Sequence, residues 1–131
     1  MGKQILVKDV MQTNVETISP LASLKEAVAK MKEKKFQSLI VDKQHQHDTY
    51  GIITYTSILK AVFAEDGDID LLNVYDVAVK PAVSISKDVE IKYAAKMMVN
   101  FNIKRLLVVD NNQLEGIISM TDIIATLFEE L

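Results

Sequence analysis

Gly116-Ile117-Ile118-Ser119-Met120-Thr121-Asp122-Ile123 has a twin upstream, Gly51-Ile52-Ile53-Thr54-Tyr55-Thr56-Ser57-Ile58. In both stretches a glycine opens an apolar run, hydroxyl residues follow, and a helix-like pattern begins. The two lie 65 positions apart. Working outward, Val7, Asp9 and Val10 reappear as Val74, Asp76 and Val77, and Ile18-Ser19 as Ile85-Ser86. Lys25, Ala27 and Met31 reappear as Lys92, Ala94 and Met98, all at an offset of 67. The slip between offsets places small insertions and deletions within the duplicated unit. A duplication of this size predicts two similar halves, residues 1–66 and 67–131, related by pseudo-twofold symmetry. The halves are expected to bury apolar faces against each other, with a functional cleft where they meet.

Periodicity fills in the elements. Leu24, Ala27, Val28 and Met31 are spaced as one face of an amphipathic helix over 22–35. Ser23 and Glu26 have the spacing of a capping box. Phe36 to Val41 reads as a buried strand, 42–49 as a polar turn and Tyr50 to Thr54 as a second strand. Thr56 or Ser57 is then expected to cap a helix carrying Ile58, Leu59, Val62 and Phe63. The second half repeats the order. It has a helix over 89–101, a strand from Leu106 to Val109, a tight turn at Asp110-Asn111-Asn112 and a strand from Leu114 to Ser119. A last helix runs from Thr121, with Ile123, Ile124, Leu127 and Phe128 inward. The acidic stretch from Glu65 to Asp70 joins the halves. The fold class is α/β, with two tandem β-α-β-β-α repeats.

Composition narrows function. With 131 residues, each half alone would be marginal, but together they make an ordinary domain. Hydrophobic residues make up 49% and charged residues 25%, a globular balance. A net charge of −3 argues against a nucleic-acid binder, which needs a concentrated basic face. No apolar run reaches the roughly 18–20 residues of a membrane helix. The first residues lack myristoylation and secretory signals, so the expected location is cytoplasmic, with no membrane partner. Without cysteine there is no disulfide, thiol nucleophile or thiolate metal site. Gly-rich phosphate loops, nucleophile elbows and paired catalytic carboxylates are missing, which points away from an enzyme.

The ordered pair of copies resembles the tandem CBS pair, or Bateman module, across nearly the whole chain. The marks are Val10-Met11, Thr17-Ile18-Ser19-Pro20, Leu106-Leu107-Val108-Val109-Asp110 and the stretch from Gly116 to Ile123. The resemblance implies a pseudo-symmetric pair without catalytic activity that commonly stacks as a homodimer. It also implies an adenine nucleotide or adenosyl compound in the cleft between repeats, with its occupancy regulating another protein. The repeats fill the sequence, so that protein is expected to be a separate chain. AMP, ADP, ATP and S-adenosylmethionine are the candidate ligands, and none is obligatory.

The implied site follows residue by residue. Asp122 would accept hydrogen bonds from the ribose hydroxyls at a helix start that favours negative charge. Ser119 and Thr121 would reach phosphate, and Ile117 would wall the base slot. The resemblance adds Thr13 and Ser38 from the other repeat. It adds Lys104 and Arg105 as a basic pair for phosphate, one a point charge and the other a fork. The matching second cleft would use Thr54, Thr56, Ser57 and Val83. Ser57 stands where the pattern has Asp, and a serine cannot accept from both ribose hydroxyls, so this cleft is expected to be weak or empty.

Other signals are set aside. His45 and His47 lie in a polar turn with only Asp48 near, which reads as a surface loop rather than a metal site. Asp66, Asp68 and Asp70 alternate like a calcium loop, but Leu71 and Val77 stand where such a loop needs Gly and Glu. Met31 and Met98 are expected in the core, and for Met97 and Met120 a packed position outweighs one facing a cleft or partner. The leading expectation is a CBS-pair sensor of adenine nucleotides. Its rivals are a ligand-free dimerisation and interaction module and, more distantly, a small enzyme of another α/β fold.

Overall fold

The computed structural model describes residues 4–129. Residues 1–3, read above for targeting signals, lie outside the described residues. The chain forms two compact units. One is Glu16–Ala82, here the Ser57 unit; the other combines Met1–Val15 with Val83–Leu131, here the Asp122 unit.

The Ser57 unit holds β1 (Thr17–Ile18), α2 (Leu24–Lys34), β2 (Ser38–Val41), β3 (Gly51–Thr54), α3 (Tyr55–Leu59) and α4 (Val74–Val77). Its sheet order is β1-β2-β3. β1 pairs with β2 in parallel, which requires the α2 crossover. β2 pairs with β3 antiparallel, with Ser38 opposite Thr54. α3 continues into a π-helical turn at Lys60–Ala64.

The Asp122 unit holds α1 (Val7–Val10), β4 (Ser84–Ile85), α5 (Ile91–Phe101), β5 (Arg105–Asp110), β6 (Gln113–Ser119) and α6 (Met120–Glu129). Its sheet order is β4-β5-β6. Asn111 and Asn112, both left-handed at φ 52 and 59, make the two-residue hairpin turn between β5 and β6.

Matching side chains fill both cores, identical at every pair except Leu24 and Ile91. Ile18, Leu24, Ala27, Met31, Leu39, Val41, Ile53 and Ile58 pack in one unit. Ile85, Ile91, Ala94, Met98, Leu106, Val108, Ile118 and Ile123 pack in the other. Fully burying one such aliphatic side chain contributes about 1.5–3 kcal/mol. The remaining pair is exchanged: Val74 belongs to the first core and Val7 to the second. Each repeat thus lends its leading segment to the other repeat's unit, and the compact units cut across the sequence halves.

Backbone bonds show how that loan is held. In the Asp122 unit Val7 N–H donates to Val89 O at 2.8 Å and Ile91 N–H to Ile5 O at 2.9 Å. Gln12 and Ile117 exchange bonds of 2.8 and 3.0 Å. In the Ser57 unit Val74 N–H donates to Ala22 O at 2.8 Å, Leu24 N–H to Leu72 O at 2.9 Å, and Val79 and Ile52 exchange bonds of 2.9 Å. The two repeated glycines permit this crossing. A Cβ on Gly116 would lie 2.6 Å from Gln12 O, and one on Gly51 3.0 Å from Val79 O.

Several expected details shift. The cap of α3 is Thr54, not Thr56 or Ser57, and α6 starts at Met120, with Ser119 just before it. The strand must end where its ladder ends, so the last paired hydroxyl residue becomes the cap. Ser23 does accept from Glu26 N–H at 3.1 Å. Met31 and Met98 are buried. Met97 and Met120 pack half-buried against the core of the Asp122 unit. Ile124 and Phe128, expected inward, are exposed, as are Leu59 and Phe63 at the equivalent positions.

Candidate functional site

The end of β6 and the start of α6 bring the expected groups of the Asp122 unit together. Ser119 closes the ladder opposite Arg105. Its Oγ accepts the Asp122 N–H at 3.2 Å, satisfying one of the N-terminal donors of α6. That bond leaves the hydroxyl proton of Ser119 available for an outside acceptor. Met120 N–H donates to Lys104 O at 2.8 Å, tying the helix start to the strand that carries both cations.

Asp122 sits in the first turn of α6 and is half-buried. No described residue gives its carboxylate a hydrogen bond or ion pair. The N-terminal helix dipole favours its negative charge. Arg105 is half-buried, and burial pushes its guanidinium pKa below the ordinary value. It stays a cation at neutral pH. Lys104 and Thr121 are exposed. Ile117 is half-buried and held by the bridge to Gln12, so Thr13, the exposed next residue, belongs to the same unit.

Ser38, half-buried at the start of β2, belongs to the Ser57 unit, as do Thr54, Thr56 and Ser57. Val83 belongs to the Asp122 unit, where its carbonyl accepts Leu107 N–H at 3.0 Å. At the start of α3 the hydroxyls turn inward. Thr54 N–H donates to Ser57 Oγ at 2.9 Å, Ser57 N–H to Thr54 Oγ1 at 3.2 Å, and Ser57 Oγ–H to Thr54 O at 2.8 Å. Ser57 is therefore a structural residue that closes a capping box.

The His45–His47 loop has a structural use for its acid. Asp48 accepts from Lys80 Nζ at 2.8 Å and from Gln44 N–H at 2.8 Å. Those bonds, with a further one from the Thr49 backbone, hold its carboxyl well below the usual carboxylate range.

Reading the sequence missed Gln12 and Gly116 as supports of the site. The repeated glycine was a signal, but its reason is a backbone approach that no local pattern displays.

Two three-stranded βαββα units, alike in core and each completed by the other repeat's leading segment, define a tandem-repeat module. Comparison with known proteins agrees. The CBS domain family matches residues 7–64 and 74–129. The CBS domain-containing protein YhcV of Bacillus subtilis is 31% identical over 89% of this chain and 81% of its own length. Among solved structures, a hexameric CBS-CP12 protein from bloom-forming cyanobacteria superposes with a TM-score of 0.86 at 37% identity, covering 92% of this chain and 69% of that one. The CBS domain pair of protein MJ0100, solved in complex with 5′-methylthioadenosine and S-adenosyl-L-methionine, superposes with a TM-score of 0.80 at 25% identity, covering 98% of each chain. The chain belongs to the CBS domain family as a tandem pair. CBS pairs are in general regulatory rather than catalytic modules. No helix among the described residues is long and apolar enough to cross a membrane.

Proposed function

We propose that this CBS pair is a non-catalytic sensor that binds an adenine nucleotide or adenosyl compound at the start of α6 and passes its occupancy to a separate protein. The carrying observation is the Asp122 carboxylate, half-buried in the first turn of a helix and without a partner among the described residues. A carboxylate so placed accepts two vicinal hydroxyls, and charge-assisted bonds of this kind are the strong ones. Arg105, Lys104, Thr121 and the Ser119 hydroxyl proton supply donors for phosphate. Ile117 supplies an apolar wall, with Thr13 beside it as a further hydroxyl. AMP, ADP, ATP and S-adenosylmethionine all carry the ribose this site would grip. The adenosyl ligands of the MJ0100 pair support the class of ligand.

Signalling would follow from differential affinity, since a ligand shifts a conformational equilibrium only as far as it prefers one state. A homodimer is part of the proposal, supported by exposed Leu59 and Phe63 on one unit and Ile124 and Phe128 at the equivalent positions of the other.

Titration calorimetry against AMP, ADP, ATP and S-adenosylmethionine tests the reading. Asp122→Ala is expected to weaken binding by about 1.5–3 kcal/mol, roughly tenfold or more. Unchanged affinity in Asp122→Ala would remove Asp122 from the site. No binding of any of the four would favour the ligand-free interaction module, a reading to which the closed Thr54–Ser57 box lends support.

A further inference from the structure

The two units share a backbone arrangement at which they present different chemistry to solvent. In the Ser57 unit, residues 20–24 run antiparallel to 72–75. Leu24 N–H donates to Leu72 O at 2.9 Å, Tyr75 N–H donates to Pro20 O at 3.0 Å, and Ser23 bridges Asn73. This register sets Leu21 beside Tyr75 and Lys25 beside Leu71. All three apolar side chains face solvent, with Leu21 67%, Tyr75 56% and Leu71 77% exposed.

The Asp122 unit has the same crossing, made by Ile91 N–H to Ile5 O at 2.9 Å and Lys8 N–H to Lys87 O at 3.0 Å. The positions equivalent to Leu21, Tyr75 and Leu71 are Asp88, Lys8 and Gln4. Lys8 Nζ lies 3.3 Å from Asp88 Oδ1, so side chains at these positions reach one another. The scaffold therefore accepts an ion pair here, and the fold does not demand Leu and Tyr. An exposed apolar cluster that its own twin replaces with charge marks an interaction surface.

The rim identifies the occupant. Residues 65–79 carry Glu65, Asp66, Asp68, Asp70 and Asp76 and no Lys or Arg. Lys25 offsets one of these by its ion pair with Asp70. The surplus is negative, so two copies of this patch would repel each other, as would an anionic lipid or nucleic acid.

We propose that the Leu21–Leu71–Tyr75 patch docks a cationic segment of a partner protein. An apolar side chain of that segment seats over Leu21 and Tyr75, and its basic side chains lie along Asp66 and Asp68. This surface lies wholly within the Ser57 unit and does not rest on nucleotide binding. It is the surface through which a partner would meet the pair.

The test is a titration of the full chain, followed by amide NMR shifts, with a synthetic amphipathic lysine–leucine peptide and its glutamate–leucine counterpart. The lysine peptide is expected to shift residues around 20–25 and 66–76, and the glutamate peptide to leave them unmoved. Leu21→Asp combined with Tyr75→Lys copies the ion pair of the other unit. It is expected to keep the fold and to weaken the lysine peptide roughly tenfold. Leu71→Gln, which copies Gln4, is a second variant should the pair fail to fold, and is expected to weaken binding in the same direction. The proposal is overturned by absent binding, by shifts spread over all acidic surfaces, by equal binding of the two peptides, or by affinity unchanged in the variants. It is also overturned by sedimentation showing that wild-type chains associate and the double variant does not, which would make the patch a contact between copies.

Discussion

Ser57 and Asp122 occupy the same position of the repeated scaffold, the third residue of a helix that leaves the last strand of a sheet. Ser57 folds back, and its hydroxyl serves the N–H and C=O of Thr54. At Asp122 only the backbone N–H turns back, to Ser119 Oγ. An acid at this position does not always stay outward. Asp9 and Asp76, third residues of α1 and α4, accept the N–H of Leu6 and Asn73, each at 2.9 Å. The contrast teaches that the helix-start position makes both uses available. What separates a cap from a group left open to an outside donor is whether the side chain finds its own backbone.

Perturbing the two units in parallel tests that contrast. The largest effect is expected at the glycines. Gly116→Ala would press a Cβ onto Gln12 O, an oxygen already held by Ile117 N–H at 3.0 Å. It is expected to cost about 3 kcal/mol in denaturant unfolding, and Gly51→Ala, with the looser 3.0 Å approach, about 1 kcal/mol. Equal losses would show that the two crossings are not packed differently.

A smaller effect sharpens the functional half. Ser57→Ala removes a capping box and is expected to cost about 1 kcal/mol of stability while leaving nucleotide affinity unchanged. Asp122→Ala should show the reverse pattern. A loss of nucleotide affinity in Ser57→Ala would mean that the Ser57 unit also binds.

The smallest effect concerns helix ends. α2 stops at Lys35 with φ 60, and α5 stops at the equivalent Asn102 with φ 53. Asn tolerates the left-handed region better than Lys because its short side chain bonds locally. Lys35→Asn is expected to raise stability by about 0.5 kcal/mol. A lowered melting temperature would show that Lys35 makes a contact worth more than the strain.

Much of the fold was legible because the duplication repeats core side chains. Leu24 and Ile91, Met31 and Met98, and Ile58 and Ile123 fill matching volumes, and their spacing is local. The site was legible less evenly. Ser119, Thr121 and Asp122 are contiguous with the repeated stretch, and Lys104 and Arg105 lie one strand away. Ser38 and Val83, expected from across the repeats, each lie in the unit opposite the helix start they were assigned to. The exposure of Ile124 and Phe128 was misread because apolar spacing alone does not say which face of a short helix meets the sheet.

The amino-acid pattern alone determined that there are two copies, where each copy's longer helix, hairpin strands and last helix lie, and that Asp122 stands in one copy where Ser57 stands in the other. These are local properties, written in spacing and residue type. Tertiary structure decided that each leading segment completes the other repeat's core. It also decided that Leu21 and Tyr75 stand where Asp88 and Lys8 pair. Those outcomes depend on which backbone edges come together over long stretches of chain, Leu24 with Leu72 and Val7 with Val89 among them, and no local pattern encodes that choice.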